Sequence, residues 1–380
     1  MLQIRKILEN KEESDLASWA IRSSDSKGRC YPENPHELRT DFQRDRDRVI
    51  YSTAFRRLEY KTQVFPNHEG DHFRTRLTHT IEVANLSRTL ARVLQLNEDF
   101  SECLALVHDI GHPPFGHCGE EVLAELMKEH GGFEHNEQTY RIITLLEKSY
   151  LDFPGLNLTE EILEAINQHT KEYRRKYPNS NNALLETQLV SITDEMAYNA
   201  HDLEDGLSNG ILEENVVLEL KMMQPLLGNP EFKNNKDKSL RQKLLLKHTL
   251  NTMVVDFSEI SIKNLHTSNY SSSEVARNAS ESPLAFSKQV GTEKAELENF
   301  LRDKMYHHPI VRKMMHKSNY FIERIFKHLQ KFPEILPMSF QNNFEKEGVE
   351  RVIADYLSGM TDRYIQEEYI RLFMPFQKML

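Results

Sequence analysis

Apolar residues recur along most of this chain three and four positions apart, and the strict alternation of a half-buried strand is hard to find. Residues 97–107 are the clearest case. Asn97 is a capping residue, and Cys103, Leu104, Leu106 and Val107 give the segment an apolar side. Residues 73–96 predict a second helix, with Ile81, Ala84, Leu90, Val93 and Leu94 facing inward. Further helices are expected at 133–146, 160–169, 187–207, 244–265, 292–306, 309–330 and 345–373. Gly359 marks a bend or a close contact within the last of these. The pattern predicts an all-α protein.

Polar stretches divide the chain. Residues 1–40 read as a loosely structured arm with one short helix near 15–22, and 41–57 are dense in charge. Residues 228–243 read as a polar loop running into a helix. The Ser- and Asn-rich stretch 266–283 reads as a mobile loop. The expected organisation is an arm (1–40), a core (41–210) and a C-terminal helical region (211–380) packed on that core.

At 380 residues and 39% apolar, the chain is long enough for a substantial core. Its net charge of −10 speaks against nucleic acid as the main partner, because that role needs basic surface. No apolar run reaches the roughly eighteen residues of a membrane span, and residues 1–29 carry charge where a signal peptide would be apolar. A cytoplasmic protein is expected. Cys30, Cys103 and Cys118 lack paired spacing, which fits a reducing compartment and excludes a cysteine-type zinc site.

The chemistry gathers at residues 108–120, HDIGHPPFGHCGE. His108 and Asp109 stand at the end of the 97–107 helix. Gly111 stops that helix, Pro113 and Pro114 forbid its early resumption, and a new helix is expected near Gly119. The result is a rigid corner bearing imidazoles and carboxylates, a ligand mixture suited to first-row divalent metals. Arg76 and His79, three apart, share one helix face. Asp194, Tyr198, Asp202 and Asp205 form a stripe on another helix, with Leu189, Ile192, Met196 and Leu203 mostly off it. The stripe carries no lysine or arginine, so it suggests a metal or a hydrogen-bonded ligand rather than a solvated face. His79, His108, Asp109 and Asp194 make a mixed nitrogen and oxygen set from three helices, which is how helical bundles build metal sites.

The order H…HD…D resembles the HD-domain superfamily of metal-dependent phosphohydrolases. Residues 55–58 (FRRL), 62–65 (TQVF), 75–79 (TRLTH), 108–117, 194–202 (DEMAYNAHD) and 359–364 (GMTDRY) resemble, more narrowly, the shorter branch of the dGTP triphosphohydrolase family. The resemblance runs from about residue 40 to the C-terminus and is weakest over 210–285. It implies a compact HD-domain helical bundle with additional C-terminal helices. The implied reaction is hydrolysis of a deoxynucleoside triphosphate to deoxynucleoside and inorganic triphosphate. It also implies one divalent ion (magnesium, manganese or another first-row metal, with room for a second beside substrate), a homo-oligomer such as a hexamer or tetramer, and a nucleotide effector.

Residue by residue, the resemblance makes His79, His108, Asp109 and Asp194 the metal ligands, and His117, Glu120 and His135 the catalytic group. A glutamate three residues after a histidine holds the imidazole in one tautomer, which suits acid–base work. Arg76 is expected on phosphate, His112 on the triphosphate or its loop, Gln63 on sugar or base, Tyr198 and Asp202 on the sugar, and Arg363 on phosphate. Some relatives carry a lysine after the last metal aspartate. Glu195 stands there in this chain, so a phosphate contact at that position is not expected. Two alternatives remain open at this level: an HD-type nucleotide phosphomonoesterase or phosphodiesterase, and a non-catalytic nucleotide sensor.

Overall fold

The computed structural model describes residues 4–63, 74–168, 170 and 183–375. The end of the TQVF motif, the start of the expected 73–96 helix and the basic stretch 171–176 lie outside them. Among the described residues the chain is helical, with isolated bridges and no strand.

Local chemistry explains where the helices around the site begin. Thr40 and Gln43 form a reciprocal capping box ahead of Asp41–Ile50, and Thr75 and Thr78 do the same ahead of Arg76–Val93. Asn97 Oδ1 accepts from the Phe100 N–H at 3.0 Å and starts Glu98–Val107 as its sequence predicts. The long helix Leu185–Ser208 crosses both. It buries Leu189, Met196 and Leu203 in one apolar cluster with Leu90, Ala91, Met253 and Phe257. Val190 and Ala197 sit in a second cluster with Val83, Ala84, Leu104 and Val107. A third cluster joins Phe115, Leu123 and Met127 to Ile322, Ile325, Ile353 and Ile365. The second and third clusters hold the 108–120 corner, through Ile110 and Phe115.

Several expected boundaries move. The N-terminal helix is Ile4–Asp15, not 15–22. Trp19 is instead an anchor in non-helical chain, buried with Nε1 donating to the Leu94 carbonyl at 3.2 Å. Glu12 fixes the turn by accepting from Ser23 N and Oγ at 2.7 and 2.8 Å. On Arg76–Val93, Ile81 and Val93 are exposed, while His79, Val83 and Ser87 take the inward face. The helix expected at 133–146 starts at His135 and widens into a π-turn, Ile142–Leu146. The 266–283 stretch is not loop throughout. Lys238–Ser268 runs into it, and Ser273–Arg277 forms a short helix whose Ala276 and Arg277 are buried, with Arg277 paired to Glu164. The expected 345–373 helix is three helices, Phe344–Glu347, Val349–Ser358 and Asp362–Phe373. The chain turns at Gly359–Thr361 because Thr361 caps a new helix, accepting from Tyr364 N at 3.2 Å.

One buried carboxylate makes stability depend on pH. Glu186 Oε1 accepts from the N–H groups of Ile21 and Asn97 at 3.0 and 3.1 Å, and Oε2 is buried with no partner. Burial pushes its carboxyl from near 4.5 to about 7. The folded chain therefore keeps a proton that the unfolded chain releases between those values, so this group's contribution to stability falls as pH rises through that window. Glu186→Gln is expected to match the wild type near pH 5 and to be more stable at pH 8 by about 1–2 kcal/mol. Denaturant unfolding at the two pH values checks this, and equal gains at both would contradict it.

Candidate metal and phosphohydrolase site

The corner at 108–120 is held by backbone contacts more than by its own side chains. Glu98–Val107 ends at His108, whose Nδ1–H donates to the Ala105 carbonyl at 2.6 Å. Gly111 lies against the His135–Arg141 helix so closely that a Cβ there would stand 2.2 Å from the His135 carbonyl oxygen and 2.3 Å from Thr139 N. Only glycine fits. Thr139 Oγ1 completes the joint, donating to the His108 carbonyl and accepting from Gly111 N at 3.1 and 3.0 Å. The new helix begins at Gly116, three residues earlier than expected, through Phe115 in the left-handed region at φ 65°. Phe115 tolerates that conformation because Asp362 Oδ1 accepts its N–H at 2.8 Å, while Oδ2 accepts from Thr62 N at 2.8 Å. Beneath the loop, the buried ammonium of Lys61 donates to the His112 and Ser358 carbonyls at 2.6 and 2.9 Å. Burial, then Arg57, pulls Lys61 down to about 7.

Three helices bring His79, His108, Asp109 and Asp194 to one point. His79 Nε2 lies 3.0 Å from Asp194 Oδ1 and 3.9 Å from Asp109 Oδ2. His108 Nε2 lies 3.4 Å from Asp109 Oδ1 and 3.6 Å from Asp194 Oδ1. Donors each about 2.1 Å from a first-row ion stand roughly 3.0–3.4 Å from one another, so this spacing is near that of a ligand set. His108 Nε2 is buried without a hydrogen-bond partner, as a nitrogen reserved for a metal would be. Burial pushes Asp109 up, but His108, His112 and Arg76 pull it well below the usual carboxylate range. Asp194 is likewise drawn down by His108 and His79. Burial lowers His108, but Asp109 and Asp194 outweigh it and raise the ring to about 9. The cluster's field favours positive charge, and the residues present fit a divalent cation.

The cluster opens into a cleft of about 260 Å³, lined also by Gln63, Arg76, His112, His117, His135 and Tyr198. Arg76 is buried. One Nη donates to Asp109 at 2.8 Å, and Nε and the other Nη have no partner. Gly116 makes room for it, since a Cβ there would meet Nη2 at 2.9 Å. Glu120 sits between two imidazoles: Oε1 accepts from His135 Nδ1 and N at 2.8 Å each, and Oε2 lies 3.5 Å from His117 Nδ1. Burial pushes Glu120 up, but His117 and His135 bring it far below the carboxylate range, so it is ionised. His117 is half exposed at the mouth, with its Nε2 edge turned away from Glu120. His112 stacks on His135 at 3.9 Å, and burial and Arg76 keep it neutral.

Past Gln63, His117 and Tyr198 the cleft continues into a second hollow of about 360 Å³, bounded by Tyr306, His307 and Arg312. Tyr198 and Tyr306 share a short hydroxyl contact, and Tyr306 also donates to Asp202 Oδ2. Asp202 is therefore buried behind Tyr306 rather than on the cleft wall, and its Oδ1 has no partner. Arg363 is a correction. It does not line the cleft but lies exposed on the last helix, paired with Glu367 at 2.8 Å. Its neighbour Asp362 takes the inward position. Glu195 is exposed and paired with Lys294 at 2.9 Å. Sequence reasoning missed Lys61, Tyr306 and Asp362. The GMTDRY motif pointed at the right segment for Asp362, whereas nothing local marks Lys61 or Tyr306.

A helical bundle with this His/Asp cluster defines the chain as an HD-type phosphohydrolase. The HD domain model matches residues 76–199, and a phosphohydrolase-associated domain model matches 284–371. Proteins described as deoxyguanosinetriphosphate triphosphohydrolase-like align with nearly the whole chain. The one from Geobacter metallireducens is 40% identical over 97% of this chain and 98% of its own length. That from Syntrophus aciditrophicus is 42% identical over 99% and 98%, and that from Leptospira interrogans 40% over 96% and 98%. The chain belongs to this deoxyguanosinetriphosphate triphosphohydrolase-like family. Among the described residues no helix is long and apolar enough to cross a membrane.

Proposed function

We propose that this protein hydrolyses deoxynucleoside triphosphates to deoxynucleoside and inorganic triphosphate. The observation that carries the reading is the order of groups along one cleft. A metal-type cluster adjoins a buried arginine with two unpartnered nitrogens, then two histidines bridged by an ionised glutamate, then a tyrosine pair. Phosphate, scissile bond and sugar would meet these in turn. The relatives' description as deoxyguanosinetriphosphate triphosphohydrolase-like supports the same substrate class.

His79, His108, Asp109 and Asp194 hold one divalent ion in this reading. Such an ion polarises a phosphoryl oxygen and lowers the pKa of bound water. Arg76 turns its free nitrogens to the phosphates, and neutral His112, set against Asp109 through Nδ1, orients the loop beside it. The reaction needs attack at the α-phosphorus and a proton for the departing 5′-oxygen. His117 moves that proton, and Glu120 keeps its ring oriented while also holding His135 in place. The sugar lies against Tyr198, with its 3′-hydroxyl at the Tyr306 hydroxyl that Asp202 holds from behind.

Incubating the purified chain with each deoxynucleoside triphosphate and Mn²⁺ tests the reaction. One inorganic triphosphate per deoxynucleoside is expected. Pyrophosphate or single phosphates instead would replace this reading with a phosphodiesterase or phosphomonoesterase. The tyrosine pair makes a further prediction. A 2′-hydroxyl pressed on the Tyr198 ring loses water without gaining a partner, at a cost of about 1–3 kcal/mol. Deoxynucleotides should therefore lead ribonucleotides by about 5- to 150-fold in kcat/KM, and Tyr198→Ala should narrow the gap. Equal kcat/KM for dGTP and GTP would sink the sugar pocket while leaving the metal assignment standing.

A further inference from the structure

Two residues outside the cleft complete the cluster from behind. His79 presents two ring edges. Nε2 faces Asp194 at 3.0 Å, and Nδ1 lies 3.0 Å from Nδ1 of His201, a buried residue of the Leu185–Ser208 helix. The far nitrogen of His201, Nε2, is in short contact with the Glu82 carboxylate. Glu82 follows His79 by three positions on the same helix, so His201 bridges two residues of one helix face. Arg74 holds Glu82 from the other side at 3.2 Å and reaches Glu204 at 2.8 Å.

We infer that Glu82 and His201 form a positioning chain that presents His79 Nε2 to a divalent ion. Hydrogen counting gives the chain a direction. A nitrogen–nitrogen contact requires one donor and one acceptor. If Nε2 of His79 is the ligand atom, the ring's single proton sits on Nδ1, so His201 Nδ1 accepts. The proton of His201 is then on Nε2 and donates to Glu82. Every member has one allowed tautomer, and the sequence ends on a carboxylate. Histidine ligands commonly gain orientation and basicity from a carboxylate or carbonyl behind them. Here the carboxylate acts through a second imidazole. His108 is served separately, through the Ala105 carbonyl, so the two histidines are oriented by independent devices.

The inference rests on His79 being a ligand, and the test separates the two claims. Mn²⁺ binding to the metal-stripped full chain is measured by equilibrium dialysis for wild type, Glu82→Ala, Glu82→Gln and His201→Phe. The metal-free melting temperature of each is recorded as well. Glu82→Ala and His201→Phe should each raise the Kd about tenfold to a hundredfold, the usual cost of losing such a partner. Glu82→Gln, which keeps an acceptor oxygen, should fall between Glu82→Ala and wild type. The metal-free melting temperature of Glu82→Ala should stay close to that of wild type, because Glu82 is about half exposed. Should His201→Phe fail to fold, the two Glu82 variants decide. Glu82→Ala binding Mn²⁺ within twofold of wild type overturns the chain, and a wild type that binds no Mn²⁺ overturns the ligand assignment itself.

Discussion

Replacing His108 with alanine should remove bound metal and turnover together. Its Nδ1 is committed to the Ala105 carbonyl, so Nε2 is the atom offered to the cluster, and it is buried without another partner. Losing it leaves Asp109 and Asp194 with one imidazole fewer to balance their charge. The charge stabilisation a divalent ion gives phosphoryl chemistry is worth several kcal/mol, so kcat/KM should fall by at least about a thousandfold. Asp109→Ala should do the same with wider damage, because Asp109 also holds Arg76 and His112 at 2.8 and 3.0 Å. Metal content measured beside turnover is the check. Full occupancy in the His108 variant would refute the assignment.

His117→Ala should leave metal and nucleotide binding in place and slow kcat by about 10²- to 10⁴-fold, the scale of a lost general acid or base. His117 is half exposed at the cleft mouth, touching Glu120 and the edges of the His112, His135 and Tyr198 rings, so the variant should fold. Glu120 would still hold His135 through two 2.8 Å bonds, which keeps that pair in position. An unchanged kcat would remove His117 from the chemistry. A parallel loss of metal would show that its role is structural.

What could be read from the chain was what local spacing controls. Arg76 and His79 lie three apart and share a face. His108 and Asp109 sit at a helix end between a capping asparagine and a glycine. Asp194, Tyr198 and Asp202 recur one turn apart. Each follows from 3.6 residues per turn, and the structure brings all of them together except that Asp202 stands behind Tyr306. The stripe also held a partial error. Asp205 has no lysine or arginine on its own helix, yet Arg74 approaches it at 4.0 Å from the non-helical chain just before the Arg76–Val93 helix, so a cation invisible to helical periodicity was there.

The sequence alone therefore determined the helical class, the corner and the histidines and aspartates gathered at it, because caps, glycines and periodicity act over a few residues. Tertiary structure decided which partners those groups have. Lys61 reaches a carbonyl 297 residues away at Ser358, Asp362 pins Thr62 and Phe115, Tyr306 closes over Asp202, and His201 stands behind His79. Pairings of that kind depend on how whole helices cross in the core, and no local pattern encodes a crossing. Arg363 and Asp362 show the limit at single-residue scale: adjacent on a helix they point about 100° apart, and only packing chose Asp362 as the one that faces the site.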